Sequence, residues 1–152
     1  MKIDLSKVPV ESGSTYPEAF QTAVAGRSRQ RVGQAAGLKN FGVNLTTLLP
    51  SAQSALKHWH SAQDEFIYVV QGEIVLVTDD GEQTLMPGDM AGFAYGEPTG
   101  HHLINRSTAP AVYLEVGDKS MPDRAEYPDE DLVCVPLPNG HRQFEHKDGT
   151  AY

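Results

Sequence analysis

The chain has 152 residues, a length that fits one domain with one hydrophobic core. Its hydrophobic content of 39% is enough for a globular interior, but its longest uninterrupted apolar run, residues 66–70, is far too short for a transmembrane helix. The formal net charge of −8, from 12 basic and 20 acidic side chains, argues against general binding to nucleic acid or to an anionic membrane surface.

The amino terminus and the cysteine content bear on the compartment. Residues 1–13 carry four charged side chains and lack the apolar stretch that a secretory signal needs. Cys134 is the only cysteine, so the chain forms no internal disulfide and fits a reducing compartment. We expect a soluble, cytoplasmic protein.

Charge and residue texture divide the chain into three stretches. Residues 1–40 hold six basic and three acidic side chains, whereas residues 41–116 hold two and nine. We therefore predict an N-terminal arm (1–40), a β-barrel core (41–117) and a C-terminal extension (118–152), all within a single domain. A basic arm beside an acidic body indicates either docking of the arm, on its own or a partner subunit, or ordinary surface charge.

The arm is predicted to contain one short helix. Tyr16-Pro17-Glu18 suits a helix start, because proline fits the first helical position and glutamate favours the positive end of the helix dipole. Phe20, Ala23 and Val24 would then share one face, and Gly26 would end the helix. The glycines that follow argue against a long regular element in the rest of the arm.

Three arginines alternate near the end of the arm. Arg27, Arg29 and Arg31 could present an anion site to a phosphate or carboxylate substrate. A solvated charged face is the commoner explanation of such a pattern, and both interpretations stay open.

The middle of the chain reads as short strands separated by turns. The predicted strands are residues 43–49, 55–60, 65–70, 73–78, 101–105 and 111–116. Gln71-Gly72 predicts a hairpin between the third and fourth of these strands, and residues 79–82 predict the next turn. Such spacing, without interleaved helices, predicts an all-β antiparallel sandwich or barrel. The proline-rich extension adds one predicted strand, residues 133–135, and wraps the barrel.

Histidines supply the strongest functional signal. In His58-Trp59-His60 the two imidazoles point to the same side of a strand, with Cβ atoms about 7 Å apart at ~3.4 Å per residue. Glu65 begins the next predicted strand and His101 begins a later one. We predict one metal site formed by His58, His60, Glu65 and His101, a set of three nitrogens and one oxygen that suits Zn, Fe, Mn or Ni rather than Ca or Mg.

Simpler explanations exist for each histidine. A single buried histidine is more often a hydrogen-bonded core residue than a ligand, and two at alternate positions also suit a polar stripe. The added carboxylate of Glu65, the later glycine Gly72 and the strand-borne His101 favour the metal site. The interior of a barrel would leave coordination positions open for water or substrate, which is typical of reactive sites.

These residues resemble the motifs of a known family. The segment His58-x-His60-x4-Glu65-x6-Gly72 is similar to the first motif of the cupin superfamily, and Gly88, Gly96 and His101-x3-Asn105 are similar to the second. The family's second motif has a proline where this chain has Ala94 and a histidine where it has Thr99, so the loop before His101 is longer here. The resemblance extends from Val43 to Val116 and includes small single-domain bacterial cupins.

The resemblance implies a small antiparallel jelly-roll barrel, a metal held inside it by the four residues named above, and frequently a homodimer. It also separates two neighbouring histidines. Adjacent strand residues face opposite ways, so only one of His101 and His102 faces the interior. The spacing to Asn105 favours His101 as the ligand and His102 as a structural or surface residue.

Three functions remain compatible with the sequence. The first is a metal-dependent enzyme that acts on a small oxygenated metabolite, either an isomerase or lyase such as the sugar-phosphate isomerases named among such relatives, or a dioxygenase. The second is a non-catalytic module that binds or senses a small molecule. The third is a structural cupin without metal, which the presence of all four ligand types disfavours. Fold alone does not decide the reaction.

Overall fold

Antiparallel strands form the architecture in a computed structural model, which describes residues 2–152. The strands are β1 (Val10–Ser12), β2 (Arg27–Gln30), β3 (Phe41–Leu48), β4 (Trp59–His60), β5 (Glu65–Gln71), β6 (Ile74–Thr78), β7 (Gly81–Leu85), β8 (Met90–Phe93), β9 (His101–Ile104), β10 (Ala111–Asp118), β11 (Ala125–Tyr127), β12 (Leu132–Pro136) and β13 (Arg142–Glu145). The helices are α1 (Glu18–Gln21), α2 (Val32–Ala35) and two 3-10 turns, Leu5–Lys7 and Thr22–Val24.

The strands pair into three sheets. A six-stranded sheet has the order β1-β2-β3-β10-β5-β8, a three-stranded sheet has the order β7-β6-β9, and a four-stranded sheet has the order β13-β12-β11-β4. Every pairing is antiparallel, and the predicted all-β jelly-roll class is confirmed. None of the helices among residues 2–152 has the length and apolarity needed to cross a bilayer.

Side-chain alternation places one face of the six-stranded sheet against the smaller sheets. Thr46 and Leu48 of β3, Ile67 and Val69 of β5 and Tyr113 of β10 are buried on this inner face, while their neighbours along each strand are more exposed. The apolar members pack against residues of the three-stranded sheet. A second apolar cluster joins the arm to the C-terminal strands and includes Tyr127. The candidate site lies between these two clusters.

The arm contributes two strands that the sequence did not predict, β1 and β2, which pair with each other. The short helix begins at Glu18 and continues as a 3-10 turn to Val24, and Phe20, Ala23 and Val24 lie in or against the second apolar cluster, as expected from their shared face. After this turn β2 pairs with β3 in an antiparallel register. The arm glycines therefore permit a four-residue strand, because pairing with β3 supplies the hydrogen bonds that local sequence cannot.

Gly72 joins two sheets and not two strands of a hairpin, so the hairpin predicted at Gln71-Gly72 is wrong. β5 pairs with β10 and β8, whereas β6 pairs with β7 and β9. Gly72 has a φ of +78°, and a Cβ at this position would lie 2.8 Å from the carbonyl oxygen of Pro110. The glycine is thus required by a left-handed turn that passes close to a neighbouring backbone.

Two further expectations changed in extent. The predicted strand over residues 55–60 is regular only at β4, and His58 joins β9 through an isolated bridge to His101. The extension forms three strands where one was predicted, because β11 pairs with both β4 and β12. The predicted hairpin at residues 79–82 is confirmed by the pairing of β6 with β7.

Candidate metal centre

Three imidazole nitrogens converge on one carboxylate oxygen. Oε2 of Glu65 lies 2.9 Å from Nε2 of His101, 3.6 Å from Nε2 of His58 and 3.8 Å from Nε2 of His60. Donor atoms of His58, His60 and Glu65 all lie within 4.8 Å of one another, the arrangement expected of groups that share one ion. His101 joins this group through its direct contact with Glu65.

The strands explain how residues from three segments meet. His58 and His60 alternate at β4, so both rings point into the space between the sheets, with ring centroids 5.2 Å apart. Glu65 is the first residue of β5 and faces the same space from the opposite wall. The bridge between His58 and His101 brings the first residue of β9 beside them.

Hydrogen bonds at the far side of two rings fix their orientation. Nδ1 of His58 lies 2.8 Å from the carbonyl oxygen of Leu56, an acceptor, so this nitrogen carries the proton. Nδ1 of His60 lies 2.7 Å from Oδ2 of Asp123 and is protonated for the same reason. In the neutral form of each ring, Nε2 is then free of a proton and can present its lone pair to a metal ion, as metal-binding histidines do.

Asp123 is a buried carboxylate whose contacts extend beyond His60. Its Oδ2 also accepts a hydrogen bond from Arg142 at 2.9 Å, and its Oδ1 accepts one from the backbone N–H of Ala62 at 3.0 Å. Burial raises the pKa of Asp123, but the hydrogen bond and charge of His60 outweigh burial and keep the pKa below its ordinary value. The side chain is therefore ionised and links the C-terminal extension to the histidine cluster.

His101 is held in a different way. Its ring stacks on Phe93 with centroids 3.6 Å apart and planes 1° from parallel. Its Nδ1 is buried and meets no hydrogen-bond partner among residues 2–152. His102 lies on the opposite side of β9, where its Nδ1 lies 3.1 Å from the carbonyl oxygen of Ala55. The structure thus brings His101, and not His102, into contact with Glu65.

The electrostatics of the cluster follow from Glu65. Burial raises the pKa of Glu65, yet hydrogen bonds from His101 and His58 lower it well below its ordinary value. Burial lowers the pKa of His58, but the hydrogen bond and charge of Glu65 outweigh burial and raise it overall. Burial, together with the charge of His58, keeps the pKa of His101 below its ordinary value. A divalent cation bound among these imidazoles would further stabilise the ionised form of Glu65.

The four residues fit a transition metal by the chemistry of their donors. Two imidazoles have their outer nitrogens satisfied, a third is oriented by aromatic stacking, and the carboxylate compensates part of a dication's charge. Nitrogen-rich sets of this kind suit zinc, iron, manganese or nickel better than calcium or magnesium.

A cavity of about 420 Å³ opens beside the cluster. Besides the histidines, it is lined by ionisable residues that the sequence analysis did not connect to them: Arg27, Arg29, Tyr113, Glu115, Tyr127 and Arg142. Oε2 of Glu115 accepts hydrogen bonds from Arg29 at 3.3 Å and from the Tyr113 hydroxyl at 3.4 Å. Burial, first, and then the charge of Glu115 raise the pKa of Tyr113, so its hydroxyl stays protonated and can donate.

The three arginines of the arm lie in two different environments. Arg27 is buried and Arg29 is partly buried, and both line the cavity, which favours an anion site over a solvated charged face. Arg31 instead forms a half-exposed ion pair with Glu11 at 2.6 Å. Alternation along β2 could have indicated that Arg27 and Arg29 share a face, but no local signal placed that face toward the histidines.

Comparisons with known proteins agree with this architecture. A cupin domain family profile matches residues 44–117. A crystal structure from Silicibacter pomeroyi, described as a sugar phosphate isomerase from a cupin superfamily, is 43% identical, covers 100% of this chain and 96% of its own, and has a TM-score of 0.95. The chain therefore belongs to the cupin superfamily.

More distant structures share the fold. A candidate sugar phosphate isomerase from Acidithiobacillus ferrooxidans is 25% identical over 83% of this chain and 80% of its own, with a TM-score of 0.74. The polyketide cyclase RemF from Streptomyces resistomycificus is 17% identical over 80% of this chain and 81% of its own, with a TM-score of 0.66. No curated protein matches the sequence.

Proposed function

We propose that the protein is a metal-dependent enzyme that isomerises a small phosphorylated sugar. The observation that carries this proposal is the convergence of three imidazole Nε2 atoms on Glu65 inside a cavity of metabolite size. The likeness to a structure described as a sugar phosphate isomerase, at 43% identity over the whole chain, supports the choice of reaction and substrate class.

His58, His60, Glu65 and His101 would hold one divalent transition metal, with Zn, Fe, Mn or Ni as the candidates. When bound, such an ion polarises a carbonyl or hydroxyl oxygen and so makes a neighbouring carbon more acidic. Phe93 and Asp123 keep two of the rings in position, through stacking and through a hydrogen bond at 2.7 Å.

Glu115 is a carboxylate of the cavity wall that is not among the four proposed metal ligands. An aldose–ketose isomerisation moves one proton between two neighbouring carbons and a second proton from the hydroxyl oxygen of one carbon to the carbonyl oxygen of the other. A carboxylate that takes the carbon-bound proton from one carbon and returns it to the other therefore leaves the overall composition unchanged. We assign this transfer to Glu115. Tyr113, neutral because burial raises its pKa, would donate a hydrogen bond to the substrate or to Glu115 as the proton moves.

The test is turnover by protein of defined metal content. Metal-stripped protein is reloaded with each of the four metals and mixed with aldose and ketose phosphates, and NMR follows their interconversion. We expect activity with at least one metal, none without metal, and a loss of about 100-fold or more in Glu115→Gln. Oxygen consumption would indicate a dioxygenase instead, and saturable binding without turnover under any condition would indicate a binding module.

A further inference from the structure

Arg27 is a buried guanidinium with no carboxylate partner. It is 8% exposed, and its Nη atoms donate to the backbone carbonyl oxygens of Ser54 and Gly13, the latter at 3.2 Å. Among residues 2–152 no side chain forms an ion pair with it. A buried cation without a counter-charge is unfavourable, so its neighbourhood would be stabilised by an anion.

Arg29 stands beside it with only part of its hydrogen-bonding capacity used. Its Nη2 donates to Glu115 at 3.3 Å, whereas its Nε is buried without a partner. Arg27 and Arg29 are two residues apart on β2, so both side chains extend over the same inner face of the sheet. Together with Glu115 they carry a net charge of about +1 at this end of the cavity.

The two arginines also lie near a solvent-facing cavity. They line a second, smaller cavity of about 250 Å³ beside the arm segment 11–15. Arg27 and Arg29 therefore form the wall between the solvent side and the cavity that contains the histidines. An anionic group that entered here would stay close to solvent while the rest of the molecule reached inward.

The distance to the histidine cluster suits a small metabolite. β2 and β5 are separated by β3 and β10, three strand spacings or roughly 14 Å between backbones. The two arginines and Glu65 line the same cavity. A molecule of five or six carbons that carries an anion at one end would span it, and the cavity volume of about 420 Å³ is sufficient.

We propose that Arg27 and Arg29 form an oxyanion subsite, which holds the phosphate or carboxylate group of a substrate whose other end reaches the metal centre. This inference rests on the proposed function for the identity of the substrate, but the anion site itself can be tested without turnover. Planar guanidinium groups bind both kinds of oxyanion through paired hydrogen bonds.

The experiment measures the binding of inorganic phosphate and of acetate by calorimetry at constant ionic strength. Wild-type protein should bind at least one of the two saturably, and the stronger one identifies the group. Arg29→Gln should weaken this binding about tenfold or more, whereas Arg29→Lys retains part of it. Arg106→Gln, the same change at an exposed ion pair with Glu82, is the matched control and should have no effect.

Glu115→Gln provides a second, opposite test. It removes the negative charge that competes for Arg29, so phosphate or acetate should bind severalfold more tightly. Weakening in Arg29→Gln and tightening in Glu115→Gln cannot both arise from a general structural defect. The absence of saturable binding, or equal binding by wild type and Arg29→Gln, overturns the subsite.

The two proposals fail separately. If the anion binds through Arg29 but no sugar phosphate is converted, the proposed function is wrong and the subsite stands. If the metal-loaded enzyme converts sugar phosphates with equal KM in wild type and Arg29→Gln, the function stands and the subsite is wrong. Metal content, measured in every variant, should not change with Arg29.

Discussion

The two faces of the six-stranded sheet differ in where they place charged and apolar side chains. Toward the cavity the sheet presents Glu65, Glu115 and two arginines, whereas its outer face exposes Phe66, Val70 and Met90 by 42%, 44% and 58%. In most one-sided antiparallel sheets the polar face meets water and the apolar face meets the core. Charged side chains among the apolar residues of the inner face depart from this pattern and support a ligand-binding role for them. The exposed apolar side chains make the outer face suited to contact another protein surface.

The largest effect is expected from removal of a proposed metal ligand. His58→Ala and His101→Ala each delete one imidazole that points at Glu65, so metal affinity should fall by more than the roughly 10- to 100-fold loss typical of changes to supporting residues. Elemental analysis after dialysis measures the retained metal.

His102→Ala is the matched control for His101→Ala. Its ring contacts the carbonyl oxygen of Ala55 and points away from Glu65, so this variant should keep its metal. Equal loss of metal from His101→Ala and His102→Ala would contradict the assignment of faces on β9.

A smaller effect is expected from the support of His60. Asp123→Asn weakens the hydrogen bond that fixes the His60 ring, and metal affinity should fall about 10- to 100-fold. Asp118→Asn changes a partly exposed aspartate that accepts hydrogen bonds from the backbone N–H groups of Asp64 and Ser120, so it should leave affinity unchanged. Competition with a coloured chelator gives both affinities, and an unaltered value in Asp123→Asn would show that His60 needs no such support.

Low pH should reduce the stability of the fold through the two carboxylates that contact the histidine cluster. The pKa values of Glu65 and Asp123 are lowered because hydrogen bonds from histidines outweigh burial. A lowered folded-state pKa gives stability that is present above the unfolded value, near pH 4, and is lost as the pH falls through the folded value. In urea titrations of metal-free protein, stability should fall from pH 5 to pH 2, and less steeply in Asp123→Asn.

A parallel loss of stability in wild type and Asp123→Asn would show that other carboxylates dominate acid unfolding. Exposed aspartates such as Asp4 and Asp148 also have a pKa lowered by local hydrogen bonds, but solvent screens their contribution. The comparison between the variant and wild type isolates the buried group.

The outer face gives the mildest test. We propose that it forms the interface of a homodimer, because exposed apolar side chains cluster on β5 and β8. Phe66→Asp should weaken association without changing metal content, as light scattering across a dilution series would measure. Leu5→Asp, at a comparably exposed residue of the arm, should not. A monomeric wild type, or a dimer indifferent to Phe66→Asp, would count against this interface.

The sequence predicted what depends on local pattern. Alternation in β9 and β10, the spacing of His58, His60 and Glu65, and the separation of His101 from His102 all follow from the two-residue period of a strand. The pairing of strands does not follow from this period, so local sequence alone predicts a hairpin at Gly72. The sequence also did not predict that Asp123 supports His60, because the two residues lie 63 positions apart and the loop of Asp123 has no periodic pattern.

The only tryptophan of the chain lies between two of the predicted ligands. Trp59 occupies β4 with His60, is partly buried, and borders a cavity shared with Glu65 and His101. Its fluorescence should therefore report the loading of the centre without any attached dye. An ion with unpaired electrons, such as manganese or nickel, would quench that emission, whereas zinc, with its filled d shell, would leave it largely intact.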